Sequence, residues 1–314
     1  QDPIYAKEQA PWFLEILQTV FGPKDTIRQK HPVSYVLCPQ SPLVIDEIYT
    51  DAYLELVGWN IPVAIMPMPL MGATAPASLI STVILANCEV LATLCLVQAA
   101  EPGVQIIYAH VSALMDPRSG MLKSDAIESG VLGAATIEMG RYYGLPVETT
   151  GAGTGQFVPN IQSGYERALS ALLSMLSWPD ILVGAGLLGS AMILSLEQML
   201  IDTETFRMCK QAHRGIVSGD EKWLDEVIDR VRPGGHFLDH PSTVSAVRGG
   251  EWYINRLGVN TSLEEWEAAG RPDIMEESRE AVDRILSTHQ PLVLDEGIDR
   301  ELERIRKRAA DSLS

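Results

Sequence analysis

The chain has 314 residues, 46% hydrophobic and 21% charged, the proportions of a globular protein rather than a disordered or fibrous one, and enough for one large domain or two ordinary ones. A formal charge of −17 excludes nucleic acid as partner, since Lys and Arg cluster only at 304–308, where they read as the solvated end of a C-terminal helix. Cys38, Cys88, Cys95 and Cys209 have neither CxxC nor zinc-ribbon spacing, which points to a reducing cytoplasm and no bound metal.

In chain order, a helical pattern at 11–21 comes first. Apolar runs of strand length come next, at 33–37, 61–65, 104–108, 146–149 and 181–183. Helical patterns at 44–57, 78–99, 123–143, 161–176 and 190–200 alternate with them, so five strand–helix units predict a parallel α/β fold. Near-continuous apolarity says that both faces of the sheet are covered, as in a closed barrel or a doubly wound sheet, and pattern alone does not choose. A (β/α)8 barrel needs eight units, and 11–21 reads as the helix of an earlier one.

No charge occurs from Leu56 to Cys88. Pro62, Pro67, Pro69 and Pro76 break this stretch short of the roughly 20 helical residues a bilayer needs, so a buried strand, a loop and a buried helix are expected, with no membrane contact. Beyond 202 the character changes to charged amphipathic helices at 204–217, 222–231, 263–269, 275–286 and 299–310. The expected organisation is an α/β body over 1–201 and a helical region over 202–314 packed on it.

The loop after the second strand, Met66 to Pro76, offers methionines, small residues and backbone but nothing that ionises, which suits an apolar or softly charged ligand. Met66, Met68 and Met71 line a cavity or act as soft ligands. Gly184, Gly186 and Gly189 match GxGxxG after a strand, the dinucleotide context, but the motif falls in the fifth unit with a helical pattern where the second strand should be, so close strand–helix packing is the better explanation. Gly151, Gly153 and Gly155 form a candidate anion nest. Glu166, with Gln162 and Tyr165, opens a helix, where a carboxylate also serves the helix dipole. Tyr108, Met115 and Asp116 lie on and after the third strand. His236 and His240 sit in a Gly/Pro-bracketed loop that suits structure better than a metal.

Several segments match one family in order: Met71-Gly72-Ala73-Thr74-Ala75-Pro76, Asn87-Cys88-Glu89-Val90-Leu91-Ala92, Arg141 to Pro146, Gln162-Ser163-Gly164-Tyr165-Glu166, Pro233 to Leu238 with His240-Pro241, and Glu264-Glu265-Trp266-Glu267. Through them the chain resembles the trimethylamine methyltransferase superfamily, as a pyrrolysine-lacking, glycine-betaine-type member. The resemblance implies the last five units of a (β/α)8 TIM barrel plus a C-terminal helical extension. It implies transfer of a methyl group from a quaternary or tertiary amine to a Co(I) corrinoid carried by a separate protein, in a homo-oligomer.

Under that resemblance Glu166, Phe157 and Asp116 form the catalytic group, and Tyr108, Tyr165, Gln162, Met71, Gly72, Ala73 and Thr74 contact substrate. Phe157 and Gly155 stand where relatives commonly have Lys and Asp, which favours a betaine-like substrate. A nucleotide-dependent oxidoreductase using Gly184, Gly186 and Gly189, and a non-catalytic quaternary-amine-binding homologue, are the alternatives.

Overall fold

Apolar segments too short to stand alone hydrogen-bond side by side in the computed structural model, which describes residues 4–313. In chain order the elements are α1 (Ala10–Phe21), α2 (Lys24–Lys30), β1 (Tyr35–Leu37), α3 (Glu47–Leu54), β2 (Val63–Ile65), β3 (Leu70–Met71), α4 (Leu79–Ala100), β4 (Ile106–His110), β5 (Ala113–Met115), β6 (Leu122–Lys123) and α5 (Ile127–Tyr142). The second half of the chain adds β7 (Val147–Thr150), α6 (Ile161–Leu176), β8 (Ile181–Val183), β9 (Leu187–Leu188), β10 (Ile193–Leu194), α7 (Leu196–Arg214), α8 (Asp225–Val231), α9 (Pro241–Arg248), α10 (Leu263–Ala268), α11 (Ile274–Thr288) and α12 (Glu296–Leu313).

The main sheet has the order β1-β2-β4-β7-β8, and every neighbouring pair is parallel. These are the five expected strands, each next to its predecessor. Side chains alternate between faces, so Tyr35, Leu37, Val63, Ile65, Ile106 and Tyr108 turn one way and pack with Ile27, Leu56, Val90 and Val97 in the main core. Ala64, Ala109 and Glu148 belong to the opposite face and are also buried.

Small strands in the loops depart from the sequence expectation. β3 pairs in parallel with β5, and β5 antiparallel with β6, joining the loops after β2 and β4 into one rim. β9 and β10 form a hairpin where a helix from 190 was expected. The helix begins instead at Leu196, capped by Ser195 Oγ accepting from Gln198 N, and runs to Arg214. Residue 202 therefore lies mid-helix, and α7 joins the α/β body to the C-terminal helices. α11 packs on α7, and α12 returns to α1, where Arg308 pairs with Glu15 at 2.5 Å and covers Trp12.

The helix expected at 78–99 forms as α4, although less of it is buried than the sequence suggested. α4 has 22 residues, and among the described residues it is the one helix long and apolar enough to cross a membrane, with 33% of its most apolar stretch buried. Its inward side mixes Ala86, Val90 and Val97 with polar groups. Thr82, Glu89 and Thr93 are buried, and Glu89 accepts from Ser41 Oγ and Leu43 N, each at 2.9 Å. Ile80 and Ile84 stand exposed on its outer side.

Two buried polar contacts fix the layers. Arg167 of α6 and Asp202 of α7, each with a side chain 1% exposed, form an ion pair. Arg167 also donates to the carbonyls of Gly184 and Leu187, while Asp202 accepts from Gly186 N at 2.7 Å and Gln198 Nε2 at 2.9 Å. At the end of β4, His110 meets Thr136 of α5 and lies 2.8 Å from Ser112 Oγ. Burial holds the His110 imidazole down to about 3, far below its ordinary 6.5.

Removing Asp202 strands a buried guanidinium, so Asp202→Ala costs about 3–5 kcal/mol in urea denaturation, and replacing the pair with Met and Leu recovers most of it. The His110 shift sets the sign of an acid effect. The unfolded chain gains a proton near 6.5 and the folded one only near 3, so stability falls as pH drops through that window. From pH 7 to 5 this group removes about 2 kcal/mol, and denaturation of His110→Gln at both pH values should show a correspondingly smaller loss.

Candidate active site

The loops at the carboxyl ends of β2, β4, β7 and β8 enclose a cavity of about 330 Å³. Met68 and Pro69 come from the first loop, Val111, Ser112 and Ala113 from the second, Thr150 to Thr154 from the third, and Gly184, Leu187, Ser190 and Ala191 from the fourth. Leu122 and Ser124 close the rim, with Ser129, Gly130 and Ser170 of α5 and α6 behind. The loops meet closely because two positions are glycine. A Cβ on Gly153 would fall 2.2 Å from Ser124 O, and one on Gly184, at φ +112°, would fall 2.6 Å from Gly151 O.

No lining residue is charged or aromatic, but seven carry hydroxyls. Their hydrogen bonds decide what the cavity presents. Thr136 Oγ1 lies 2.9 Å from Leu132 O, which can only accept, so the Thr136 proton goes there. Its lone pair then takes the His110 Nε2 proton, leaving Nδ1 to accept from Ser112 Oγ. Ser112 accordingly turns lone pairs toward the cavity.

Thr154 donates to Glu166 Oε2 at 2.6 Å and accepts from Gln156 N. Ser190 donates to Leu122 O and accepts from Ser124, while Ser170 donates to Glu166 O at 3.0 Å. Ser129 Oγ is buried without a protein partner. The wall thus carries no formal charge yet is rich in oxygen acceptors.

The expected site residues fall in several places. Glu166 is buried one layer behind the cavity, held by Thr154 and by Gln162 Nε2 at 2.7 Å. Glu166, Gln162 and Tyr165 line a separate outer groove of about 380 Å³ with Lys123, Asp125 and Glu128. Tyr108 faces the helices: its hydroxyl donates to Asn87 Oδ1 at 3.0 Å and its ring stacks on Tyr143. Phe157 is 65% exposed outside the cavity lining, its ring against Gly189.

Asp116 sits in a turn, paired with Arg118 at 2.8 Å, whose hydrogen bonds hold the carboxyl well below the usual carboxylate range. Met71 to Thr74 form β3 and its turn, where Thr74 Oγ1 accepts from Leu70 N, and it is Met68 and Pro69 of that loop that reach the cavity. The structure therefore brings together hydroxyls that the sequence reading passed over. Their one signal was position, since Ser112 lies two residues beyond β4 and Thr150 ends β7.

The glycines at 184, 186 and 189 do not offer a pyrophosphate site. A β-hairpin rather than a helix comes after them, and the Gly186 N–H is already given to the Asp202 carboxylate, a negative charge where phosphate would have to sit. Among the described residues no three His, Cys, Asp or Glu side chains come together as a metal site. His236 lies 3.4 Å from Asp239 on the surface, and His240 caps α9 through Ser242 N.

A family model described as trimethylamine methyltransferase (MTTB) matches residues 3–313. The trimethylamine methyltransferase MttB of Methanosarcina barkeri (strain Fusaro / DSM 804) is 29% identical over 98% of this chain and 62% of its own length. The glycine betaine methyltransferase of Desulfitobacterium hafniense (strain Y51) is 30% identical over 95% of this chain and 62% of its own. The chain spans about 62% of the length of these curated relatives. With the family model covering nearly every residue, the chain belongs to the trimethylamine methyltransferase family.

Proposed function

We propose that the cavity binds the cationic head of a quaternary amine of betaine type and presents one methyl group for transfer to a corrinoid protein. The observation that carries this reading is a wall without formal charge in which Ser112, Thr154 and Ser190 have given their protons to protein acceptors. Methyl groups on a quaternary nitrogen carry partial positive charge and pack well against oxygen lone pairs, through weak C–H···O contacts, and against apolar surface such as Met68 and Pro69. Ser129 Oγ, which has no protein partner, fits such a head as a further acceptor.

The partner's reduced corrinoid supplies the nucleophile, and this chain binds, dries and orients the amine. The leaving amine is neutral, so no acid is required beside it. A carboxylate in direct contact would hold the ground-state cation more tightly than a transition state in which that charge is dispersing, which slows the step. Neutral dipoles avoid this penalty, and Glu166, one layer back, acts through the Thr154 hydroxyl. We further propose that the sheet is the later part of a (β/α)8 barrel. Its strictly sequential order supports this.

The test is methyl-corrinoid formation by the purified protein with a corrinoid protein and a panel of betaines and methylamines. Ser112→Ala should raise KM about tenfold, about 1.4 kcal/mol, with kcat nearly unchanged, and turnover should be flat between about pH 6 and 8, since nothing in the wall titrates there. Amine binding without methyl transfer would reduce the assignment to a binding protein.

A further inference from the structure

At the far end of the fold from the cavity, beside Trp178 on the amino side of β8, lies a second concavity of about 560 Å³. One wall is a stripe of α7, on which Arg207, Lys210, Gln211 and Arg214 recur at helical spacing. Tyr253 and Arg256 form the opposite wall, on a segment, 250–256, that hydrogen bonds fasten to α7. Gln211 Nε2 donates to Glu251 O at 3.0 Å, Arg214 donates to Gly250 O, and Glu204 accepts from Tyr253 Oη at 2.6 Å and Arg256 N at 2.7 Å. Trp178 forms the end, stacked on His213 at 4.2 Å with Lys210 Nζ 5.8 Å from its centroid.

Four cations thus line one hollow in a chain of charge −17. Glu204 is buried behind Arg207 at 3.6 Å, and Glu251 reaches Arg214 only at 3.9 Å while bound to Lys222. Among the described residues neither Lys210 nor Arg256 has an acidic partner, so their charges add to the field of the hollow without compensation. Guanidinium forks and an ammonium converging on one concave space match a compact oxyanion with several oxygens.

We propose that this hollow is a binding site for a multivalent oxyanion of the phosphate class, separate from the methyl-transfer cavity. Because His213 already stacks on the indole, recognition rests on the oxyanion rather than on a base. The anion would tie α7 to the 250–256 segment and so steady the junction between the α/β body and the C-terminal helices.

Calorimetric titration of the protein with pyrophosphate at low ionic strength tests this directly. Saturable one-to-one binding is expected, weakened at least tenfold in the Lys210→Ala/Arg256→Ala double variant. Both side chains are exposed and without acidic partners, so an unchanged melting temperature should confirm that the variant folds. A parallel titration with ADP identifies the source: equal affinity points to free oxyanion, and tighter binding to a nucleotide carrying it. No saturation at millimolar pyrophosphate, or equal affinity in the double variant, overturns the proposal.

Discussion

The buried ion pair between Arg167 and Asp202 determines where the loop after β8 can lie. Two charges with side chains 1% exposed are costly to desolvate, and they persist because their remaining hydrogen-bonding capacity is used. Arg167 spends it on the carbonyls of Gly184 and Leu187, and Asp202 on Gly186 N and Gln198. Three elements, α6, α7 and the β8 loop, are locked by one contact. That loop supplies Gly184, Leu187, Ser190 and Ala191 to the cavity, so the cavity's shape depends on a charge pair it never touches.

The same logic keeps charge out of the cavity itself. Glu166 stands behind Thr154, His110 behind Ser112, and burial keeps that imidazole neutral. Each ionisable group is one hydrogen bond removed from the space it influences. Its effect arrives as an oriented hydroxyl lone pair, a fixed dipole that would need no reorganisation as charge moves in the proposed cationic ligand.

Much of the fold was legible in the sequence, because five apolar runs at regular intervals can hardly be other than parallel strands with helical crossovers. The glycines at 151, 153 and 184 were visible too, although the reason for 153 and 184, backbone approach between loops, needs coordinates. What stayed hidden turned on single-residue geometry. β4 puts Tyr108 and His110 on the helix side, and which of two alternate faces meets the helices is not written in an all-apolar strand. Strands of two or three residues, such as β3, β6 and the β9–β10 pair, are too short for alternation to register, so the hairpin before α7 read as helix. Rings and acids such as Phe157 and Asp116 attract attention by their chemistry, yet Phe157 is exposed and Asp116 is taken up by Arg118 outside the cavity lining, while the serines that line the cavity resemble ordinary loop residues.

The central claim is that acceptor oxygens select a permanent cation. Calorimetry comparing glycine betaine with its carbon isostere, in which a tert-butyl group replaces the trimethylammonium head, isolates that charge at nearly constant shape. The account predicts at least about tenfold tighter binding of the betaine, about 1.4 kcal/mol, with the preference reduced in Ser112→Ala. Equal affinity for the two heads would contradict it.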